Sequence, residues 1–299
     1  MGELAIQLRG LTKHYGKARG VIDLDLDVGT GEVFGYLGPN GAGKSTTIRL
    51  LLDLIRPSSG SATVLGHDAR GETLQVRRRV GYLPGELSLY ESFTPNEALD
   101  YFAELRGGVD SAYRAELVDR LEVDDSRRIG DLSTGNKQKV GIVQAFMHRP
   151  ELLILDEPTS GLDPLMQIAV YEMIEEVRAE GRTVFLSSHV LPEVERIADR
   201  VGIIREGRLV EVATVDSLKE RAVRVVEVRF GDSSPTPDAL QELPGVLRVE
   251  RSRNIVQLRI EGSMDGLIKA LADYEVLSLH SHEADLEEIF LDLYRGADA

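Results

Sequence analysis

Between Val21 and Val28 the chain reads Val-Ile-Asp-Leu-Asp-Leu-Asp-Val, an alternation of apolar and acidic positions. A period of two sends successive side chains to opposite faces, so the segment predicts a half-buried antiparallel strand with one wet face. Residues 32–37 and 152–155 are instead short runs bounded by turn residues or acids. Such runs predict strands buried on both faces of a mainly parallel sheet. Helical periodicity recurs over residues 46–54, 94–106, 111–121, 136–147, 165–180 and 191–198. Between and around these helices lie strands near residues 80–83, 152–156, 183–187 and 201–205, the rhythm of a doubly wound α/β domain.

After about Val212 the glycine-bounded buried strands stop. A strand at 224–230 leads through a turn-rich stretch, 231–238, to a helix at 239–243, strands at 246–251 and 255–261, a helix at 265–273 and a strand at 275–280. That β-α-β-β-α-β order is ferredoxin-like. A last helix over 284–295 would set Leu286, Ile289, Phe290 and Leu293 on one face, a stripe suited to packing on a neighbour. The predicted division is a first domain over residues 1–218 and a small α+β domain over 219–299.

Composition narrows the classes. With 299 residues and 42% hydrophobic content the chain can build two ordinary cores. It contains no cysteine, which excludes disulfides and cysteine-based zinc sites and suits a reducing cytoplasm. A formal net charge of -15 repels phosphate backbones, and the longest basic run, Arg77, Arg78 and Arg79, reads as a solvated helix face. Nucleic acid is therefore not an expected partner. Residues 1–10 lack the apolar core of a signal peptide, and no window approaches the roughly 18 apolar residues that span a bilayer.

Gly38-Pro39-Asn40-Gly41-Ala42-Gly43-Lys44-Ser45 fits G-x-x-x-x-G-K-[ST] and lies where that motif works, between a predicted buried strand and the helix that continues through Thr46. Glycines let the loop wrap closely, so that backbone amides and a helix N-terminus face phosphates. Lys44 then reaches the β and γ phosphate oxygens, and Ser45 ligates Mg²⁺. Far downstream, the apolar strand 152–155 ends in Asp156 and Glu157. On a strand these neighbours point to opposite faces, leaving Asp156 for the Mg²⁺ shell and Glu157 for the attacking water.

Leu132-Ser133-Thr134-Gly135-Asn136-Lys137-Gln138, shortly before that strand, resembles the ABC signature LSGGQ. With it the span from about Leu4 to Val212 looks like an ABC nucleotide-binding domain. The resemblance continues in Ser160, Gly161, Leu162 and Asp163 as the D-loop, His189 as the switch histidine, and Tyr15 as the aromatic that stacks on adenine. It implies a P-loop NTPase (RecA-like) core with an antiparallel β-subdomain and a helical subdomain. Thr134 and Asn136 replace the usual glycine and glutamine of the signature, while Ser133 and Gly135, the pair expected at the γ-phosphate, are intact. Around Gly81-Tyr82-Leu83-Pro84-Gly85-Glu86, the family's Q-loop glutamine would align near Gly85, where there is none. Glu86 or another group would have to stand in for it.

The resemblance further implies an ATPase that works as a dimer of two copies, with ATP held between Lys44 of one and Ser133 of the other. Glu157 polarises the water and His189 contacts the γ-phosphate. The GYLP segment, the altered signature and the extra C-terminal domain look most like bacterial drug or antibiotic export ATPases encoded apart from their permease, which would hold the chain at the cytoplasmic face of the membrane. Competing readings are an import ATPase, a soluble ABC ATPase and a regulator without catalysis. The interval between Lys44 and Ser133 leaves no room for the long coiled coil of chromosome-maintenance proteins.

Overall fold

The computed structural model describes residues 3–16, 18–221, 223–231 and 233–282. The helix expected over 284–295 lies outside the described residues. The first strands are β1 (Leu4–Tyr15) and β2 (Ala18–Gly29), paired antiparallel. In β2 the expected alternation holds from Leu24 to Val28, with Leu24, Leu26 and Val28 buried and Asp25 exposed. It slips at Asp23, whose φ of 53° takes the chain through the left-handed region. Irregular register between Leu8 and Leu11 similarly disrupts β1, which is why its sequence shows no clean period of two.

The chain continues through β3 (Val33–Leu37), α1 (Lys44–Leu51), β4 (Ser59–Val64), β5 (His67–Asp68), α2 (Thr73–Arg79) and β6 (Val80–Leu83). Three helices follow, α3 (Pro95–Leu105), α4 (Ser111–Arg120) and α5 (Thr134–Phe146). Their starts are written locally: Thr94 and Glu97 form a reciprocal capping box before Pro95, Asp110 caps α4, and Ser133 caps α5. Then come β7 (Leu152–Asp156), α6 (Pro164–Ala179), β8 (Thr183–Ser188), α7 (Leu191–Ile197), β9 (Arg200–Arg205) and β10 (Arg208–Thr214).

Among the described residues these strands make a four-stranded sheet in the order β2-β1-β4-β5 and a six-stranded one in the order β10-β9-β3-β8-β7-β6. β9, β3, β8, β7 and β6 run parallel. Every residue of β3 and β7 is buried, as their apolar runs require, and so is every residue of β8, the polar Thr183, Ser187 and Ser188 included. Phe34 stacks on Phe185 across neighbouring strands, ring centroids 5.8 Å apart. The arginine run at the end of α2 is not merely a solvated face. Arg77 donates to the carbonyls of Leu52 and Asp53, and Arg79 pairs with Glu151.

The chain divides into two compact units, the second beginning at Ala213. After α8 (Val215–Arg221) it holds β11 (Val223–Phe230), α9 (Pro237–Gln241), β12 (Val246–Ser252), β13 (Ile255–Glu261), α10 (Asp265–Leu271) and β14 (Val276–His282). The strands form an antiparallel sheet in the order β12-β13-β11-β14. Its own core contains Val226, Val228, Phe230, Leu240, Leu258 and Leu267.

Candidate functional site

Four parallel strands, β3, β8, β7 and β6, deliver their carboxyl ends to one edge of the six-stranded sheet. Open α/β sheets bind ligands at such an edge. The loop after β3 must turn tightly into α1, and glycine permits it. A Cβ at Gly38 would lie 2.4 Å from the Ile204 carbonyl oxygen, and Gly43 has φ 115°. The first amides of α1 have no partner within the helix and carry the positive end of its dipole.

Lys44 opens α1 and is buried. Its Nζ donates to the carbonyls of Gly38 at 2.5 Å and Pro39 at 3.3 Å, and stands 3.3 Å from Glu157 Oε1. Pro39, Asn40, Gly41, Gly43, Lys44, Ser45 and Thr46 line a cleft of about 410 Å³ together with Gly85, Asp156 and Glu157. The phosphate loop and the paired carboxylates, remote in sequence, therefore share one cavity. Ala42 is buried beneath it, with its carbonyl accepting from the Gly207 amide at 2.8 Å.

The two acids do point differently, but not through the pleat of a continued strand. β7 ends at Asp156, and Glu157 lies beyond it with φ 54°. The left-handed turn re-aims Glu157 toward Lys44 and His189, so the expected strand alternation is corrected to a backbone reversal. Several bonds hold it: the Glu157 amide donates to Ser187 O at 3.1 Å, and Gln138 Nε2 donates to the carbonyls of Glu157 at 3.2 Å and Pro158 at 3.0 Å. His189 Nδ1 is 2.7 Å from Glu157 Oε2. A carboxylate only accepts, so with Glu157 ionised it is Nδ1 that bears the hydrogen. Asp156 is buried at the end of β7 and accepts from the Ser187 hydroxyl.

At the position expected for a glutamine, Gly85 itself lines the cleft, and a Cβ there would sit 3.2 Å from Asp156 Oδ2. Glu86 is exposed and is not among the lining residues.

Tyr15, the signature residues and the D-loop residues do not line this cleft. Tyr15 is 42% exposed at the end of β1, with Lys13 Nζ 5.3 Å from its ring centroid. Ser133 Oγ accepts from the Asn136 amide, Thr134 begins α5, and Gly135 abuts Gly161 so closely that a Cβ would lie 2.5 Å from the Gly161 carbonyl oxygen. Ser160 is exposed, Leu162 is buried, and Asp163 caps α6 through the amides of Leu165 and Met166.

Sequence reasoning passes over Gln138, Ser187 and Glu193. Gln138 closes the signature segment, where no role attaches to it, and Ser187 is a polar residue near the end of β8 without distinguishing spacing. Glu193, in the first turn of α7, reads as an ordinary solvent-facing acid at a helix start, yet it is 3% exposed.

The sequence profile of the ABC transporter family matches residues 21–160. The chain is 33% identical over 302 residues to the bacitracin transport ATP-binding protein BcrA of Bacillus licheniformis, covering 97% of each. It is 36% identical over 304 residues to the daunorubicin/doxorubicin resistance ATP-binding protein DrrA of Streptomyces peucetius, covering 97% of this chain and 92% of that one. A solved structure of the ATP-binding subunit of an ABC transporter superposes with TM-score 0.66 at 34% identity, over 72% of this chain and 92% of that one.

Proposed function

The chain belongs to the ATP-binding subunits of ABC transporters and is an ATPase, and from that membership we propose that it powers export of a drug, antibiotic or other hydrophobic compound through a separate membrane-spanning permease. The observation that carries this reading is the similarity to drug-resistance and antibiotic-transport subunits over 97% of the chain, C-terminal unit included. Among the described residues no helix is long and apolar enough to cross a membrane, and the cargo path is assigned to the permease. Through that partner the chain works at the cytoplasmic face of the membrane.

In this reading the amides of the 38–46 loop and of the first turn of α1 cradle the ATP phosphates. Lys44 leaves its carbonyl partners for the β and γ oxygens, which separates it from Glu157. Glu157, still held by His189, takes the proton of the attacking water, general-base work worth roughly 10²- to 10⁴-fold in rate. His189 keeps that carboxylate aimed and lies beside the γ-phosphate. Ser45 and Asp156 offer hard oxygen donors on one cleft, a set suited to Mg²⁺, and Gly85 leaves the space beside Asp156 clear. Bound there, the ion would neutralise charge on the phosphates.

Tyr15 stacks on adenine. Ser133, Thr134, Gly135 and Asn136 act on ATP bound to a second copy, and residues 160–163 lie at that junction. The close approach of Gly135 to Gly161 supports placing these two segments at one junction. The β-α-β-β-α-β order and sheet of the second unit support a ferredoxin-like accessory domain over 219–299.

The test is Mg²⁺-dependent ATP hydrolysis by the purified chain, wild type beside Glu157→Gln, with and without the permease in nanodiscs. Hydrolysis that needs Glu157 and rises with the permease is expected. Turnover indifferent to both would overturn the reading.

A further inference from the structure

The catalytic pair is held by a third acid that takes no part in the chemistry described above. Glu193 Oε1 accepts from the Thr159 hydroxyl at 2.5 Å, and Glu193 Oε2 accepts from the Ser188 hydroxyl at 2.6 Å. Thr159 lies two residues after Glu157 in the segment between β7 and α6, and Ser188 immediately precedes His189 at the end of β8. One buried carboxyl thus ties together the two segments whose side chains meet in the 2.7 Å contact between His189 and Glu157.

We propose that Glu193 is a positioning residue for ATP hydrolysis, bridging Thr159 and Ser188 so that Glu157 and His189 are held in register. The inference rests on the reading of Glu157 and His189 given above.

Stability alone does not account for an acid in this place. A carboxyl taken out of water is costly unless its oxygens are fully hydrogen-bonded, and an apolar side chain of similar size fills a buried site at no such cost. Burial pushes the Glu193 carboxyl above its ordinary range, and the nearby charge of Glu157 acts in the same direction. Helix capping does not account for it either. α7 has no side-chain cap hydrogen bond, and the Ser188 hydroxyl accepts from the amide of the N-cap residue Val190, at 2.9 Å, so neither Glu193 bond caps the helix. What the Thr159 bond adds is a link to the other loop. Loss of that link leaves the two segments joined near the site by the Glu157 amide bond to Ser187 O and the His189 contact but removes their buried side-chain bridge, and misplacement by about 1 Å is enough to cost about 10²-fold in rate.

The test is steady-state ATP hydrolysis by the full chain carrying Glu193→Ala, Glu193→Gln, Thr159→Val, or Glu193→Ala with Thr159→Val. Glu193→Ala is expected to lower kcat about ten- to hundredfold while KM for ATP stays within about threefold. Glu193→Gln keeps the length, one acceptor and one donor, and should restore kcat to within about threefold of wild type. Thr159→Val, which leaves Ser188 and the helix start intact, should lower kcat as well, and the double variant should be no slower than Glu193→Ala, because both changes break one bridge.

Wild-type kcat in Glu193→Ala, a rise in KM with kcat unchanged, a glutamine variant as damaged as alanine, or additive losses would each overturn the bridge. Should Glu193→Ala not fold, Thr159→Val at full kcat overturns it alone. A wild-type chain whose turnover survives Glu157→Gln would instead remove the assignment of the pair itself, a result separable from any of these.

Discussion

Lys44 Nζ and Glu157 Oε1 stand 3.3 Å apart across the phosphate-loop cleft, both largely withdrawn from water. The contact pairs the group assigned to bind phosphate with the group assigned to activate water. In the function proposed above, ATP phosphates compete with Glu157 for the Lys44 ammonium. The released carboxylate keeps its bond to His189. On that proposal, nucleotide binding and release of the base are linked through one side chain.

Lys44→Ala removes the phosphate-directed cation. A hydrogen bond to a charged group is worth about 1.5–3 kcal/mol, so the Kd for ATP is expected to rise roughly 10- to 150-fold. Equilibrium titration with a fluorescent ATP analogue measures it; unchanged affinity would remove Lys44 from the phosphate site.

Glu157→Gln keeps size and polarity while abolishing the base. Turnover is expected to fall roughly 10²- to 10⁴-fold with the Kd for ATP changed only a few-fold. Phosphate release and equilibrium binding check the two halves. Because ATP persists in this variant, gel filtration with ATP should reveal a dimer that wild type loses on hydrolysis.

Gly85→Ala places a methyl group 3.2 Å from Asp156 Oδ2. Disturbing a carboxylate assigned to a metal shell typically weakens the metal at least about tenfold. The Mg²⁺ concentration that supports half-maximal hydrolysis should rise accordingly, with kcat at saturating Mg²⁺ less affected. An unchanged Mg²⁺ profile would show that Asp156 tolerates the crowding or does not serve the ion.

His148 supplies a pH dependence away from the site. Burial, with the Arg106 guanidinium beside it, pushes its imidazole from 6.5 down to about 4, and its Nε2 lies 3.3 Å from Val80 O. The folded chain then binds fewer protons than the unfolded chain between those two values. Stability from this group is present above 6.5 and is lost as pH falls through about 4. The loss amounts to at most about 3 kcal/mol. Urea midpoints at pH 7, 5.5 and 4 should fall less steeply for His148→Gln than for wild type, and equal slopes would remove His148 as the cause.

Much of this was legible in the linear chain because the physics is local. Glycines at Gly38 and Gly43, a lysine and serine behind them, and a buried strand before them suffice to specify a phosphate loop. Burial on both faces is written in the apolar runs of β3 and β7, whereas the capping of helix starts by Thr94, Asp110, Ser133 and Asp163 came from the structure. β1 and β4 were not legible, because bulges and small polar residues interrupt their alternation.

Motif and spacing by themselves determined the nucleotide chemistry, since the loop that binds phosphate is one continuous segment whose conformation follows from its residues. Tertiary structure alone decided how Glu157 is aimed, that Gly85 rather than Glu86 faces Asp156, and that Glu193 is buried between Thr159 and Ser188. Those outcomes depend on a left-handed turn and on loops brought together by parallel strands distant in sequence. Such contacts leave no period or spacing in the chain, because each partner is chosen by the fold and not by its neighbours.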